Sequence, residues 1–382
     1  MASFISLFLL ALSSLFAFSN SQPSPSNGSY DMFWGTSSYY AHGLDEVTRT
    51  AWLDGLQRDG ARIIRIWVNG ISPGTYKGTN VTVTIPDLEE TVGIFNDTVL
   101  DAIDGLLMEG HRRGIKFIIS IHDGNAFGQN SCDAYCTEFG GFGPATGTPI
   151  TLGNSFYTNP TAVAAFDNRI AHIMNYQSPN FGKPWGQLTE AIAAFDIENE
   201  PMIQAITQLD SVGPTWFCDR AKQFKKYIGS ATIAVSTGGA GGSGNIYQNW
   251  NWRPWLFTCP DIDWIALHGY DGDWTQWVPN ATALAAQYNK KLFVEEWGVV
   301  ASARANNLAW NFEKFVELGL SWVYWELVPG PIKSCYCGSD RSNAVFEVSA
   351  TPKRYNPGWL TLSRCSLMAQ TIQAFRILQI AH

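Results

Sequence analysis

Ile192-Ala193-Ala194-Phe195-Asp196-Ile197-Glu198-Asn199-Glu200-Pro201 begins as an apolar run and ends as a polar one closed by proline. The run is too short for a globular helix. A strand with one wet face would alternate apolar and polar residues, whereas this run is nearly continuous, as in a strand buried on both faces. Working outward, runs of similar character predict strands at Met32–Thr36, Ala61–Val68, Ile115–Ile121, Ile192–Ile197, Thr232–Ser236, Trp264–His268, Leu292–Glu296 and Ser321–Trp325. Amphipathic stretches lie between them, near Asp45–Asp59, Asp97–Arg113, Thr161–Tyr176, Thr215–Ile228, Ala281–Tyr288 and Arg304–Glu317, with a closing helix near Trp359–Ile377. Several meet a glycine before the next strand (Gly60, Gly114, Gly319), as helix C-termini do. Eight buried strands alternating with helices predict an α/β fold, a single (β/α)₈ barrel with long βα loops, rather than an open doubly wound sheet. No Gly-x-Gly-x-x-Gly follows the first strand, which argues against a dinucleotide site.

In such a barrel, chemistry gathers where the strands end. Those ends deliver Arg65-Ile66-Trp67, His122-Asp123, Asn199-Glu200-Pro201, His268-Gly269-Tyr270, Glu296-Trp297-Gly298 and Trp325-Glu326. Each has a bland reading. Arg65 suits a structural ion pair, His122 or His268 a satisfied core histidine, and Glu200 a carboxylate drawn to a helix N-terminus. Their arrival together at strand ends favours a common site.

From Tyr30 to Leu327 the chain resembles the family 5 glycoside hydrolases, (β/α)₈-barrel enzymes. The most specific element is Phe195-Asp196-Ile197-Glu198-Asn199-Glu200-Pro201, similar to the family's Asn-Glu-Pro signature on the fourth strand. Phe293-Val294-Glu295-Glu296-Trp297-Gly298 is similar to its seventh-strand segment. The resemblance implies that Glu200 is the acid/base, Glu296 the nucleophile, and Asn199 the residue that holds the substrate 2-hydroxyl. Arg65, His122, His268, Tyr270, Trp297 and Trp325 then fall among the substrate-binding or supporting positions, with Trp325 as the floor beneath the sugar. It implies no metal and no cofactor.

A retaining glycosidase needs two carboxyl groups about 5–5.5 Å apart across the scissile bond. Two carboxylates so close in a partly dry cleft resist ionising together, so one holds a proton near working pH. Arg65 and Tyr270 are expected to keep Glu296 anionic and leave Glu200 protonated, with His268 tuning one of the pair. Strand alternation sends Glu295 towards the outer helices, because neighbouring side chains point opposite ways. Asp196 is expected inside the barrel; Glu198 and Glu326 receive no role.

The chain's ends and composition set the context. Residues 1–21, apolar from Phe4 to Phe18 and followed by small residues, predict a secretory signal peptide; 22–29 are a polar linker and 30–382 the barrel. Asn27, Asn80, Asn96 and Asn280 open Asn-x-Ser/Thr acceptors, which fits secretion to the extracellular space. Seven cysteines are compatible with disulfides: Cys132 with Cys136 would close a short loop and Cys218 with Cys259 a long one. Cys335-Tyr336-Cys337 has no second ligand pair at metal spacing. A net charge of −8 argues against nucleic acid as a partner, and no polybasic patch suggests a membrane once the signal is removed. Aromatic residues make up 14 % of the chain, and the groups Trp250, Trp252, Trp255 and Trp274, Trp277 are expected on loops where indoles stack on sugar faces.

The expected partner is a β-linked polysaccharide, acted on by a monomer. The Arg65–Trp67 pairing and the opening Gly35-Thr36-Ser37-Ser38-Tyr39-Tyr40 look more like the endo-β-1,4-mannanases than the cellulases. A β-1,4-glucanase or exo-β-glucosidase is the alternative within the family. A non-catalytic carbohydrate-binding barrel is an alternative of another class, against which both retained carboxylates argue. A metal-dependent hydrolase built on His122, Asp123 and His268 lacks the usual His-x-His on the first strand.

Overall fold

The structure is a computed structural model, described at residues 32–77, 79–128, 130–141, 155–243, 249–270, 273–299, 304–328 and 348–349. The signal peptide, the linker, Asn27, the closing helix Trp359–Ile377 and Cys335, Cys337 and Cys365 lie outside the described residues. Eight parallel strands close a barrel: β1 (Trp34–Ser37), β2 (Ile63–Trp67), β3 (Lys116–Ser120), β4 (Ile192–Asp196), β5 (Ala234–Ser236), β6 (Trp264–Tyr270), β7 (Lys291–Gly298) and β8 (Ser321–Tyr324). Each falls on a predicted strand, and β1 closes the ring by pairing with both β2 and β8.

The helices wrap the outside: α1 (Glu46–Asp59), α2 (Thr98–His111), α3 (Ala134–Phe139), α4 (Pro160–Asn175), α5 (Ile206–Ser211), α6 (Gly213–Ile228), α7 (Pro254–Thr258), α8 (Trp274–Tyr288) and α9 (Arg304–Glu317). Local signals set their ends. The Asp45 carboxylate caps α1 by accepting from Thr48 N, and Gly60 stops it in the left-handed conformation at φ 87°. The same logic starts α4, where Asn159 caps and Pro160 takes the first turn.

Helix α8 begins seven residues before the expected Ala281, with Pro279 inside it. Its buried positions Trp274, Trp277, Val278, Ala281 and Ala285 follow helical spacing. Trp274 and Trp277 are therefore core residues, the Trp274 ring meeting Phe315 of α9 and its Nε1 donating to Asn311, and the loop-platform expectation fails for both. Trp250 and Trp252 sit on a 3-10 turn and Trp255 on α7, all three half-buried against the core.

Inside the barrel the side chains form layers. Phe33, Trp264 and Phe293 meet at centroid distances of 5.4–6.0 Å near the strand starts, with Lys291 Nζ 4.5 Å from the Phe33 ring. This apolar floor supports a buried polar layer of Arg65, Ser120, Asp196, Ser236 and Glu295. The strand ends open above it. Loop insertions at the C-terminal ends of β2, β3 and β5 frame that mouth, as expected. Both disulfides expected among the described residues are present, Cys132–Cys136 and Cys218–Cys259.

Candidate active site

Arg65 is the hub from which the site is built. Fully buried on β2, its guanidinium reaches β4, the segment just past it, and β7: Nε donates to Asp196 Oδ2 at 3.0 Å, Nη2 to Asn199 Oδ1 at 2.6 Å, and Nη1 to Glu296 Oε2 at 3.0 Å. Its third carboxylate neighbour is Glu295, at 3.4 Å. The face of the fork lies 4.3 Å from the centre of the Trp67 ring, a cation–π contact. Burial lowers its pKa, but Glu295, Asp196 and Glu296 more than offset this and raise it above the ordinary arginine value. For Asp196 the balance runs the other way: burial and the charge of Glu295 outweigh Arg65 and push it up to about 7. Asp196 is the interior polar residue expected.

Glu295 departs from the alternation argument. It is fully buried inside the barrel, where Oε2 accepts from His268 Nε2 at 3.0 Å and Oε1 from Ser236 Oγ at 3.3 Å. The cause is a bulge. Leu267 pairs with Val294, but the next pair is His268 with Glu296, so one residue of β7 is left over. The β7–β8 register shifts at the same place. An extra residue resets the alternation, and Glu295 and Glu296 both reach the interior. Burial would raise the Glu295 pKa, but the charge of Arg65 and the bond and charge of His268 bring it below the ordinary value.

Trp297 is the correction on the other side of the bulge. Its ring packs against Phe312 and Phe315 of α9 and against Trp322 and Tyr324 of β8, at 4.9–5.6 Å, and is 1 % exposed. It belongs to the barrel–helix interface.

The two predicted carboxylates do meet. One oxygen of Glu200, one oxygen of Glu296 and a ring nitrogen of His268 lie within 4.8 Å of one another. Glu296 is held at both oxygens, by Arg65 on Oε2 and by the Tyr270 hydroxyl, which donates to Oε1 at 2.6 Å. Glu200 follows β4 in the left-handed region at φ 48°, a strained conformation fixed by its N–H donating to Gly238 O at 2.7 Å. Its carboxylate accepts from Ser243 N at 3.0 Å, His268 Nδ1 at 3.1 Å and Asn125 Nδ2 at 3.1 Å. The glycines after β5 permit this approach: a Cβ at Gly238 would overlap the Glu198 carbonyl oxygen, and one at Gly239 would lie 2.5 Å from the His268 ring.

The resting charge balance differs from the expectation for Glu200 and Glu296. Burial raises both. At Glu200 the hydrogen bond and charge of His268, with help from Asn125 and Arg65, bring the net pKa below normal. At Glu296 burial and the charge of Glu200 prevail over His268, Arg65 and Tyr270, and its pKa is raised. The two groups are thus pushed apart, Glu200 below and Glu296 above the ordinary carboxylate value, with His268 3.1 Å from Glu200 and 3.6 Å from Glu296. His268 itself, despite burial, is lifted to about 10 by Glu296, Glu200 and Glu295.

The remaining predicted residues take two places. Asn199 has its amide engaged on both sides, Oδ1 with Arg65 and Nδ2 with Asp123 Oδ1 at 2.8 Å. Trp325 is half-buried just past the end of β8, parallel to Tyr39 at 6.1 Å and edge-on to Trp67 at 5.6 Å. His122 stands apart. It bridges Glu198 (Nδ1, 2.6 Å) and Asp133 (Nε2, 2.7 Å), and Glu198 in turn accepts from the Tyr157 hydroxyl at 2.8 Å. This network lies behind the Asn199–Glu200 segment rather than at the carboxylate pair; His122 acts as a brace.

A metal reading does not fit these donors. The trio Glu200, His268 and Glu296 has the spacing of a cation site. Yet Arg65 already places a fixed positive charge on Glu296, which leaves little room for a second cation beside it. Asn125, Ser243 and Asn251 carry no signal in the sequence. Asn251 takes His268 N–H on Oδ1 and donates Nδ2 to Ala240 and Gly242, so it binds the glycine loop to β6. Only spacing in three dimensions reveals these residues.

The fold and site thus define a (β/α)₈ barrel with paired acidic groups at its C-terminal mouth. No family model matches the chain. It is 22% identical over 226 residues to mannan endo-1,4-beta-mannosidase 7 of Arabidopsis thaliana, a match covering 57% of this chain and 48% of that protein. It is 22% identical over 343 residues to probable mannan endo-1,4-beta-mannosidase F of Aspergillus flavus, covering 82% of this chain and 69% of the relative. The chain therefore spans about half the length of the plant relative and about two thirds of the fungal one. Among solved structures, the endo-1,4-beta-mannanase from Rhizomucor miehei superposes with a TM-score of 0.66 at 18% identity, over 92% of this chain and 96% of that one. The barrel fold is shared, and the likeness agrees with the family 5 resemblance read from the strand ends.

Proposed function

We propose that this chain is a retaining glycoside hydrolase that cuts β-1,4-mannan internally, with Glu296 as nucleophile and Glu200 as acid/base. The observation that carries the reading is the placement of the two carboxylates within 4.8 Å, beside an arginine and a tyrosine that hold one of them. That spacing favours retention, since inversion needs about 6.5–9.5 Å to admit water between the carboxyl groups. Glu296 attacks the anomeric carbon as Glu200 gives its proton to the departing oxygen. A water then loses a proton to Glu200 and displaces Glu296, restoring both groups. The step requires a proton on Glu200 and an anion at Glu296, the reverse of the order in which the surroundings shift the two groups without substrate. A sugar seated on Trp325 brings positive charge developing at the anomeric carbon against Glu296, which favours the anion there.

The choice of mannan rests on the names of the relatives and on the Arg65–Trp67 pairing. Secretion rests on the leader and the glycosylation acceptors; among the described residues, no helix is long and apolar enough to cross a membrane. Reducing-end release from mannan, cellulose and barley glucan, measured side by side, tests the reading. Mannan should be cut with an early fall in viscosity, Glu200→Gln should lose about 10²–10⁴-fold, and a chelator should change nothing. Turnover of glucan with mannan intact would refute the substrate, and inertness towards all three would favour the binding barrel.

A further inference from the structure

Asn125 occupies the short turn Gly124–Ala126 that follows β3, half-buried at the barrel mouth. Its Nδ2 donates to Glu200 Oε2 at 3.1 Å, and the amide is itself braced. Asp123 Oδ1 accepts from the same nitrogen at 3.1 Å and from the Asn125 backbone N–H at 3.0 Å. The turn is fastened to the segment that carries Glu200: Gly124 N donates to Asn199 O at 2.7 Å, and Asn199 N to His122 O at 2.9 Å. A Cβ at Gly124 would come within 2.5 Å of the Glu200 carbonyl oxygen, so only glycine lets the turn lie this close.

We propose that Asn125 is a positioning residue for Glu200, fixing the orientation of its carboxyl group and setting the pH at which that group gives up its proton. The proposal rests on reading Glu200 as the acid/base. The charged groups facing Glu200 are Arg65 from β2, His268 from β6, Glu296 from β7 and Asp123 from the turn itself. Asn125 adds a neutral donor among them. A neutral donor favours the carboxylate anion without adding charge, whereas an aspartate at this place would set a further negative group beside Glu200 and favour the acid. Losing the amide therefore raises the Glu200 pKa, and Asn125→Asp raises it more.

The test is a titration of Glu200 by its carboxyl band in difference infrared spectra, with Glu200→Gln subtracted to isolate the signal. It is run on the intact protein, Asn125→Ala, Asn125→Asp and the donor-retaining Asn125→Ser, each checked for folding by circular dichroism. The expected rise in Asn125→Ala is about 0.5–1 pH unit, larger in Asn125→Asp and smaller in Asn125→Ser. The basic limb of the kcat/KM profile on mannan should move up in step. An unchanged Glu200 titration in the folded variants overturns the proposal. The infrared reading needs no substrate, so a shifted titration in a protein inert towards mannan would uphold the positioning role and refute the activity instead.

Discussion

Tyr270 and Arg65 grip opposite oxygens of Glu296, and burial keeps the Tyr270 hydroxyl protonated by raising its pKa well above 10. Tyr270→Phe removes a donor to a charged acceptor, worth roughly 1.5–3 kcal/mol. Its kcat should fall by about 10–100-fold with KM little changed, in steady-state kinetics on mannan. At this scale Arg65, Glu200, His268, Tyr270 and Glu296 were legible, because each ends a strand whose buried run is plain in the sequence. Asn125 and Ser243 were not. Their contacts depend on how loops fold over the mouth, and no periodicity records that.

Elements were legible where hydrophobic period was unbroken and illegible where it was not. The strands match because each is a compact apolar run. Helix α8 is longer than its sequence predicts because Pro279 and the paired tryptophans resemble loop chemistry, although Trp274, Trp277 and Val278 keep helical spacing. The bulge in β7 was invisible, since one surplus residue changes no composition. It inverted the placement of Glu295 and left Trp297 facing α9. Two indoles near the ends of adjacent strands should thus behave differently. Trp297→Ala should cost about 3–5 kcal/mol of stability as a core truncation, read as a lower midpoint in urea. Trp325→Ala should leave the midpoint nearly unchanged and raise KM for mannan.

Over the whole molecule, buried charges link stability to pH. Burial lowers the pKa of His122 and His268, but Asp133 and Glu198 around the first, and Glu296, Glu200 and Glu295 around the second, lift them to about 9 and about 10. A histidine raised above its unfolded value of about 6.5 stabilises the fold fully below that pH and progressively less as pH climbs through the folded pKa. Urea unfolding should therefore show stability falling by a few kcal/mol between pH 7 and 10, with a smaller fall in His122→Gln. A flat profile would mean that these imidazoles are neutral in the folded protein. The barrel's catalytic account depends on a covalent bond between sugar and Glu296. Incubation with a 2-deoxy-2-fluoro-mannosyl fluoride, followed by peptide mapping, reads that bond directly. The expected result is a single labelled peptide with the sugar esterified to Glu296; label on Glu200 or Glu295, or hydrolysis with inverted anomeric configuration and no label, would contradict it.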